Sequence, residues 1–141
     1  MKKYLSIICL TTLLCCGCGK KSLNCTLQLN EDDALTTTNI NYTFDLFGKQ
    51  TTRLETITVT FDNLDECNYY YDYISNLYNN NNDNLPPYSI EKDETTFTVK
   101  TYRNITIKNV NKQALKDLEP KTNLNRKKLL KYYKDIGFNC N

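Results

Sequence analysis

The chain has 141 residues, enough for one ordinary domain and too few for two. It carries 18 basic and 16 acidic residues, seven cysteines, 19 asparagines, 18 threonines and 11 tyrosines, with no tryptophan. Histidine is also absent, which excludes Ser-His-Asp and Cys-His nucleophile pairs, His-ligated zinc and a histidine general base.

The first 18 residues read MKKYLSIICLTTLLCCGC. Lys2 and Lys3 form a positive start, and positions 4 to 14 form an apolar run of about eleven residues. Such a run is too short to cross a hydrocarbon core of ~30 Å and has the geometry of a secretory segment. Its end, Leu13-Leu14-Cys15-Cys16-Gly17-Cys18-Gly19-Lys20-Lys21, resembles a bacterial lipoprotein signal. In that family the cysteine after a small residue receives a diacylglyceryl thioether, and cleavage falls just before it. Gly17 and Cys18 fit that order. Position −3, usually leucine, is Cys15, with Leu14 one place earlier.

The resemblance therefore implies a signal peptide over 1–17, a lipidated Cys18 with a short tether over 18–23, and a domain over 24–141. Two acyl chains on one residue give stable anchoring where one gives only marginal binding. Lys20 and Lys21 would face anionic headgroups, adding about 1 kcal/mol each. The tether from Gly19 to Leu23 reaches under about 20 Å, so the domain is held close to the bilayer.

Without residues 1–17 the charges balance, because Lys2 and Lys3 carry the whole excess. The remainder is polarised. Residues 22–99 hold 3 basic and 13 acidic residues, and residues 100–141 hold 11 basic and 3 acidic. A basic third could meet a polyanion, but no nucleic-acid motif accompanies it. A solvated basic helix complementing acidic parts of the same fold is the expected reading.

Residues 24–30 alternate, with Cys25, Leu27 and Leu29 on one face of a half-buried strand. Residues 31–35 read as a turn. Residues 38–47 alternate again, with Ile40, Tyr42, Phe44 and Leu46 inward, and Gly48-Lys49 reverses the chain. Residues 51–61 place Ile57, Val59 and Phe61 inward against Thr56, Thr58 and Thr60, which suit a wet face. Asp62 is the expected cap of a helix whose apolar stripe is Leu64, Cys67, Tyr71, Ile74 and Tyr78. The run 79–84, all Asn or Asp, followed by Pro86-Pro87, reads as a loop. Residues 88–91 form a short strand and Lys92-Asp93 a turn.

Residues 95–108 alternate, with Phe97, Val99, Ile105 and Ile107 on one face. Thr101 and Arg103 interrupt that face, which predicts a bulge or a sheet edge. Residues 111–118 form a short helix stopped by Pro120. Asn123 or Asn125 caps a last helix bearing Leu129, Leu130, Tyr133 and Ile136, with Gly137 as its stop. The predicted order is β-β-β-α-β-β-α-α: an α+β domain with helices on one face of an antiparallel sheet.

Cys25, Cys67 and Cys140 remain in the domain, and export permits disulfides. A Cys25–Cys140 bridge would tie the two ends together. Cys67 on the helix stripe reads as a buried thiol, with its pairing to either partner left open. Three distant cysteines do not make a zinc site, and the acids show no EF-hand spacing, so no metal or cofactor is expected. Tyr69, Tyr70 and Tyr73 fall off the core stripe and form a candidate binding patch for glycan or peptide. Core and rim packing is the competing explanation of those rings.

Asn24-Cys25-Thr26-Leu27, the tyrosine-rich helix, Tyr88-Ser89-Ile90 and residues 129–140, LLKYYKDIGFNC, together resemble small Firmicutes-type lipoproteins of the YehR-like class. The resemblance covers most of the domain and implies the Cys25–Cys140 bridge. It brings no catalytic residues. The expectation is a monomeric, non-enzymatic envelope lipoprotein, held on the extracytoplasmic face by lipid, in a binding or structural role. Its partner would be an envelope protein or a small ligand, not nucleic acid. The alternative is a solute- or peptide-binding accessory of a transporter or wall system. A third possibility, an enzyme built on carboxylates, would need two acids converging in a cleft.

Overall fold

The computed structural model describes residues 21–31, 33–80 and 85–141. The signal peptide expected over 1–17, Cys18, Gly19 and Lys20 lie outside the described residues, as do Asp32 and residues 81–84 of the asparagine-rich run. The first strand, β1 (Ser22–Glu31), starts two residues before its alternation suggests. Leu23, assigned to the tether from sequence, is fully buried opposite Tyr42. Cys25 is buried on the same face, whereas Leu29, expected inward, is exposed. Alternation sets the side to which a residue points, not whether anything lies above it.

Strand β2 (Ala34–Phe44) follows almost at once and buries Ile40, Tyr42 and Phe44. Leu46 and Phe47 leave this face and are 75% and 89% exposed. The cause is Asp45, whose Oδ1 accepts from Phe47 N at 2.9 Å and Lys49 N at 2.8 Å and closes the chain into a turn. Gly48 supplies the left-handed step at φ 78° that this turn requires. Strand β3 (Gln50–Phe61) then pairs with β2 along its whole length.

Helix α1 (Leu64–Asn79) is capped by Asn63 rather than Asp62: Asn63 Oδ1 accepts from Glu66 N at 3.0 Å. Cys67 and Ile74 are its buried residues; Tyr71 and Tyr78 are half-buried and Leu64 is exposed. The helix packs on β3 and on the hairpin of β4 (Ser89–Asp93) and β5 (Thr98–Thr106). Lys92 and Asp93 belong to that hairpin's first strand. The turn comes later, where Asp93 Oδ1 accepts from Thr95 N at 2.9 Å.

Strand β5 carries neither the bulge nor the edge expected at Thr101 and Arg103. It lies between β3 and β4, with unbroken register from Thr52–Thr106 to Thr60–Thr98. Thr101 and Arg103 simply point inward and are buried. Ile107 falls in a 3-10 turn. Asn111 caps α2 (Lys112–Asp117) and Asn125 caps α3 (Arg126–Asp135). Gly137, at φ 96°, ends the last helix. A final strand missed by the sequence reading, β6 (Asn139–Cys140), pairs with β1.

The fold is thus α+β, with a six-stranded antiparallel sheet in the order β4-β5-β3-β2-β1-β6. Helix α3 covers the β1–β6 end, where Leu129 and Tyr133 pack on Leu23, Cys25, Ile40, Tyr42 and Phe44. Full burial of Leu23, Phe44 and Leu129 contributes roughly 1.5–3 kcal/mol apiece. Helix α1 packs at the opposite end on β3, β4 and β5, where Val59 and Val99 are buried. Cys25 and Cys140 are disulfide-bonded, and Asn24 and Asn141 exchange backbone hydrogen bonds of 3.2 and 2.9 Å beside them. Among the described residues no ion pair joins the basic last helix to the acidic front; its Lys131 pairs within the helix with Asp135 at 2.6 Å.

Candidate functional site

Between the two helix-covered ends, the inward face of the sheet becomes polar. Arg53 and Glu55 lie two apart on β3, so they share the face of Ile57 and Val59. Register then places Glu55 between Ile40 on β2 and Arg103 on β5, and Arg53 between Tyr42 and Ile105. Arg53, Glu55 and Arg103 are 6%, 8% and 7% exposed. Glu55 Oε1 meets Arg53 Nη2 at 2.5 Å. Its Oε2 accepts from Arg103 Nε at 3.3 Å, Arg103 Nη2 at 3.2 Å and the Tyr88 hydroxyl at 3.1 Å.

Aromatic rings support both guanidinium groups. Arg103 lies over the Tyr88 ring at 4.1 Å, and Tyr88 stacks on Tyr78 of α1 with ring centroids 4.1 Å apart. Arg53 lies 5.7 Å from the ring centre of Tyr42, whose hydroxyl meets that of Tyr133 at 2.8 Å. Burial raises the pKa of Tyr42, and burial with the nearby Glu55 charge raises that of Tyr88, against the opposing pull of Arg53 and Arg103 respectively. Both phenols therefore stay protonated at neutral pH.

One carboxylate, that of Glu55, sits between two guanidinium groups. Arg53 Nε and Nη1 are buried and have no hydrogen-bond acceptor. A cavity of about 400 Å³ lies over the cluster, with Ile40, Ile57, Leu85, Ala114 and Leu118 among its walls. Gln50 holds the segment that roofs this region in place: its Nε2 donates to Leu124 O at 2.9 Å and to Lys121 O at 3.3 Å. Glu119 also borders the cavity but pairs with Lys121 at 2.7 Å, and Glu55 is engaged on both oxygens, so both acids are committed to cations.

The sequence reading missed Arg53, Glu55 and Tyr88, and took Arg103 only as an interruption. The signal was present as parity. Counting back from Ile57 in steps of two reaches Glu55 and Arg53, and counting between Val99 and Ile105 reaches Arg103. Two inward faces interrupted by opposite charges are candidates for direct pairing.

The three tyrosines chosen from sequence do not form one surface. Tyr69, 77% exposed, and Tyr70, packed on Phe61 with centroids 5.3 Å apart, border a shallow depression with Ala34, Asp65 and Glu66. Tyr73 borders a second one with Asn76 and Leu77. Among the described residues no group of three acids and cysteines could hold a metal ion, and no helix is long and apolar enough to cross a membrane. Comparison with protein-family models, curated proteins and solved structures finds no match to this chain.

Cys67 is fully buried and free. Burial raises its pKa above the usual thiol value, with Lys92 opposing. The native protein is therefore expected to resist alkylation at Cys67 at pH 8, while denaturant exposes one reactive thiol in the domain. Intact-mass measurement with and without denaturant checks this; rapid native labelling would contradict it.

Proposed function

We propose that the chain is a membrane-anchored extracytoplasmic lipoprotein of the cell envelope with a non-catalytic binding role. The observation that carries this reading is the Cys25–Cys140 disulfide, which belongs to an oxidising compartment beyond the cytoplasm. It agrees with the lipoprotein-like order Gly17-Cys18 and with the resemblance to small envelope lipoproteins. A further detail supports an anchored orientation. Arg126 Nε donates to Ser22 O at 2.8 Å, so the basic helix α3 starts beside the strand end that leads to Cys18. Lys127, Lys128, Lys131 and Lys134 are exposed there, and basic residues near an anionic leaflet add about 1 kcal/mol each. This basic surface suits lipid headgroups better than nucleic acid.

Labelled palmitate should enter the wild-type chain and be lost from a Cys18→Ala variant, which should also leave the membrane fraction. Unchanged labelling of that variant would overturn the anchor assignment. The second reading, a solute- or peptide-binding accessory lipoprotein, is favoured by the cavity over Arg53, Glu55 and Arg103. It moves the binding surface from Tyr69, Tyr70 and Tyr73 to the inward face of the sheet.

A further inference from the structure

Resting on the membrane-anchored reading, we propose that the turn carrying Leu46 and Phe47 is a tip that enters the lipid leaflet holding the anchor and fixes how the domain sits on it. Among the described residues Phe47 is the most exposed large apolar side chain, at 89%, and Leu46 beside it is 75% exposed. Single exposed apolar residues are ordinary, but these two are adjacent and held out by a closed turn. Asp45 N donates to Lys49 O at 2.9 Å and Gly48 N donates to Asp45 O at 3.1 Å. These add to the two bonds that Asp45 Oδ1 accepts from Phe47 N and Lys49 N. Insertion of the tip therefore orders little of the protein.

The place of the turn names its occupant. Phe44 N donates to Lys21 O at 2.9 Å, so the base of the turn is pinned to the residue three places after Cys18. Three residues span at most about 11 Å, so an acyl chain on Cys18 starts close to the tip. The charges agree. Lys21 and Lys49 are exposed at this end of the sheet, as is Lys108 just past β5, whose Thr106 pairs with Thr52. Helix α3 also starts here, through the contact of Arg126 with Ser22. Its first turn holds Arg126, Lys127 and Lys128 and no acid, against the helix dipole. An anionic leaflet supplies the negative charge that this helix end lacks. The opposite end of the sheet carries Glu31, Asp33, Asp62, Asp65 and Glu66, which the same surface repels. Interfacial binding combines buried apolar area with attraction to anionic lipid, and aromatic rings sit at headgroup level.

The chain has no tryptophan, so Phe47→Trp installs a single reporter at the tip. Leu35→Trp is the control, since Leu35 is 43% exposed at the opposite end of the sheet. Each full chain is made in a bacterial host with labelled palmitate, purified in detergent and reconstituted into vesicles with bromine on their acyl chains. The lipid is phosphatidylcholine, with and without phosphatidylglycerol. Burial of one aliphatic and one aromatic side chain favours the seated over the lifted domain by about tenfold or more. The indole of Phe47→Trp should therefore be quenched by bromolipid, more strongly with phosphatidylglycerol and less strongly at high salt, while that of Leu35→Trp should not be. Adding Leu46→Asp to Phe47→Trp should remove most of the quenching.

Palmitate incorporation with no quenching in Phe47→Trp, or with equal quenching in the two reporters, would overturn the tip and leave the anchor standing. Quenching of Phe47→Trp in a chain without palmitate would keep the tip as a membrane surface and overturn the anchor. Quenching that Leu46→Asp leaves intact would trace the contact to the added indole and overturn the proposal. An emission shift that grows with protein concentration, without bromine quenching, would overturn it by assigning the tip to a second copy of the chain.

Discussion

Cutting the Cys25–Cys140 bridge is expected to lower the stability of the domain by about 5 kcal/mol. The two cysteines are 115 residues apart, so the bond closes nearly the whole domain into one loop and removes a large part of the unfolded chain's freedom. The native side has little to replace it. Strand β6 is two residues long and meets β1 at Cys25–Cys140 and Thr26–Asn139. Helix α3, which supplies Leu129 and Tyr133 to the main core, packs on these two strands. A domain of this size has about 5–15 kcal/mol in total, so the loss is about a third of the stability or more. Urea unfolding of the Cys25→Ser/Cys140→Ser chain, beside the wild type with and without reductant, measures it. The same loss is expected from mutation and from reduction. A change below ~1 kcal/mol would mean that the folded state strains the bond or that the reduced unfolded chain stays compact.

Glu55→Gln is expected to cost about 3–5 kcal/mol, the range for removing one partner of a buried ion pair. The carboxylate is the shared acceptor of Arg53, Arg103 and Tyr88, and a neutral amide cannot answer two buried guanidinium groups. Tyr88→Phe removes a single donor and should cost only about 1 kcal/mol. A triple variant with methionine at positions 53, 55 and 103 separates charge from packing. If the deficit in Glu55→Gln is electrostatic, the triple variant should recover most of it, because apolar replacement of a buried ion cluster is often neutral or stabilising. Chemical denaturation of the four chains decides it; a triple variant as unstable as Glu55→Gln would point to lost packing instead.

Particular residues mark where sequence reading succeeds. Alternation placed Ile40, Tyr42 and Phe44 inward, and helical spacing found Cys67, Ile74, Leu129 and Tyr133. Gly137 stopped the last helix, as a residue tolerant of positive φ does. The errors have separate causes. Leu46 and Phe47 looked like the end of a strand because period two cannot sense that Asp45 offers its carboxylate to two backbone donors. Asp62 and Asn63 are both good caps, and the choice between them rests on a single geometry, Asn63 Oδ1 facing Glu66 N. Arg103 looked like a break in a face because a charge is expected to avoid burial. Among the groups that admit it to the interior is Glu55, 48 residues earlier in the chain.

The sequence by itself determined the strand periods, most helix ends, the wet threonine face and the sides to which Arg53, Glu55 and Arg103 point. These are properties of neighbours a few residues apart, governed by backbone geometry and local hydrogen bonds. Only the tertiary structure decided that β5 lies between β3 and β4, that Cys140 returns as a strand beside Cys25, and that two arginines meet one glutamate under a cavity. Those outcomes depend on register between segments far apart in the chain, where one step of pairing would turn every inward side chain outward. For the same reason the tyrosines, conspicuous in sequence, proved to be divided between two shallow depressions. The inconspicuous Arg53 became the buried donor that still lacks an acceptor.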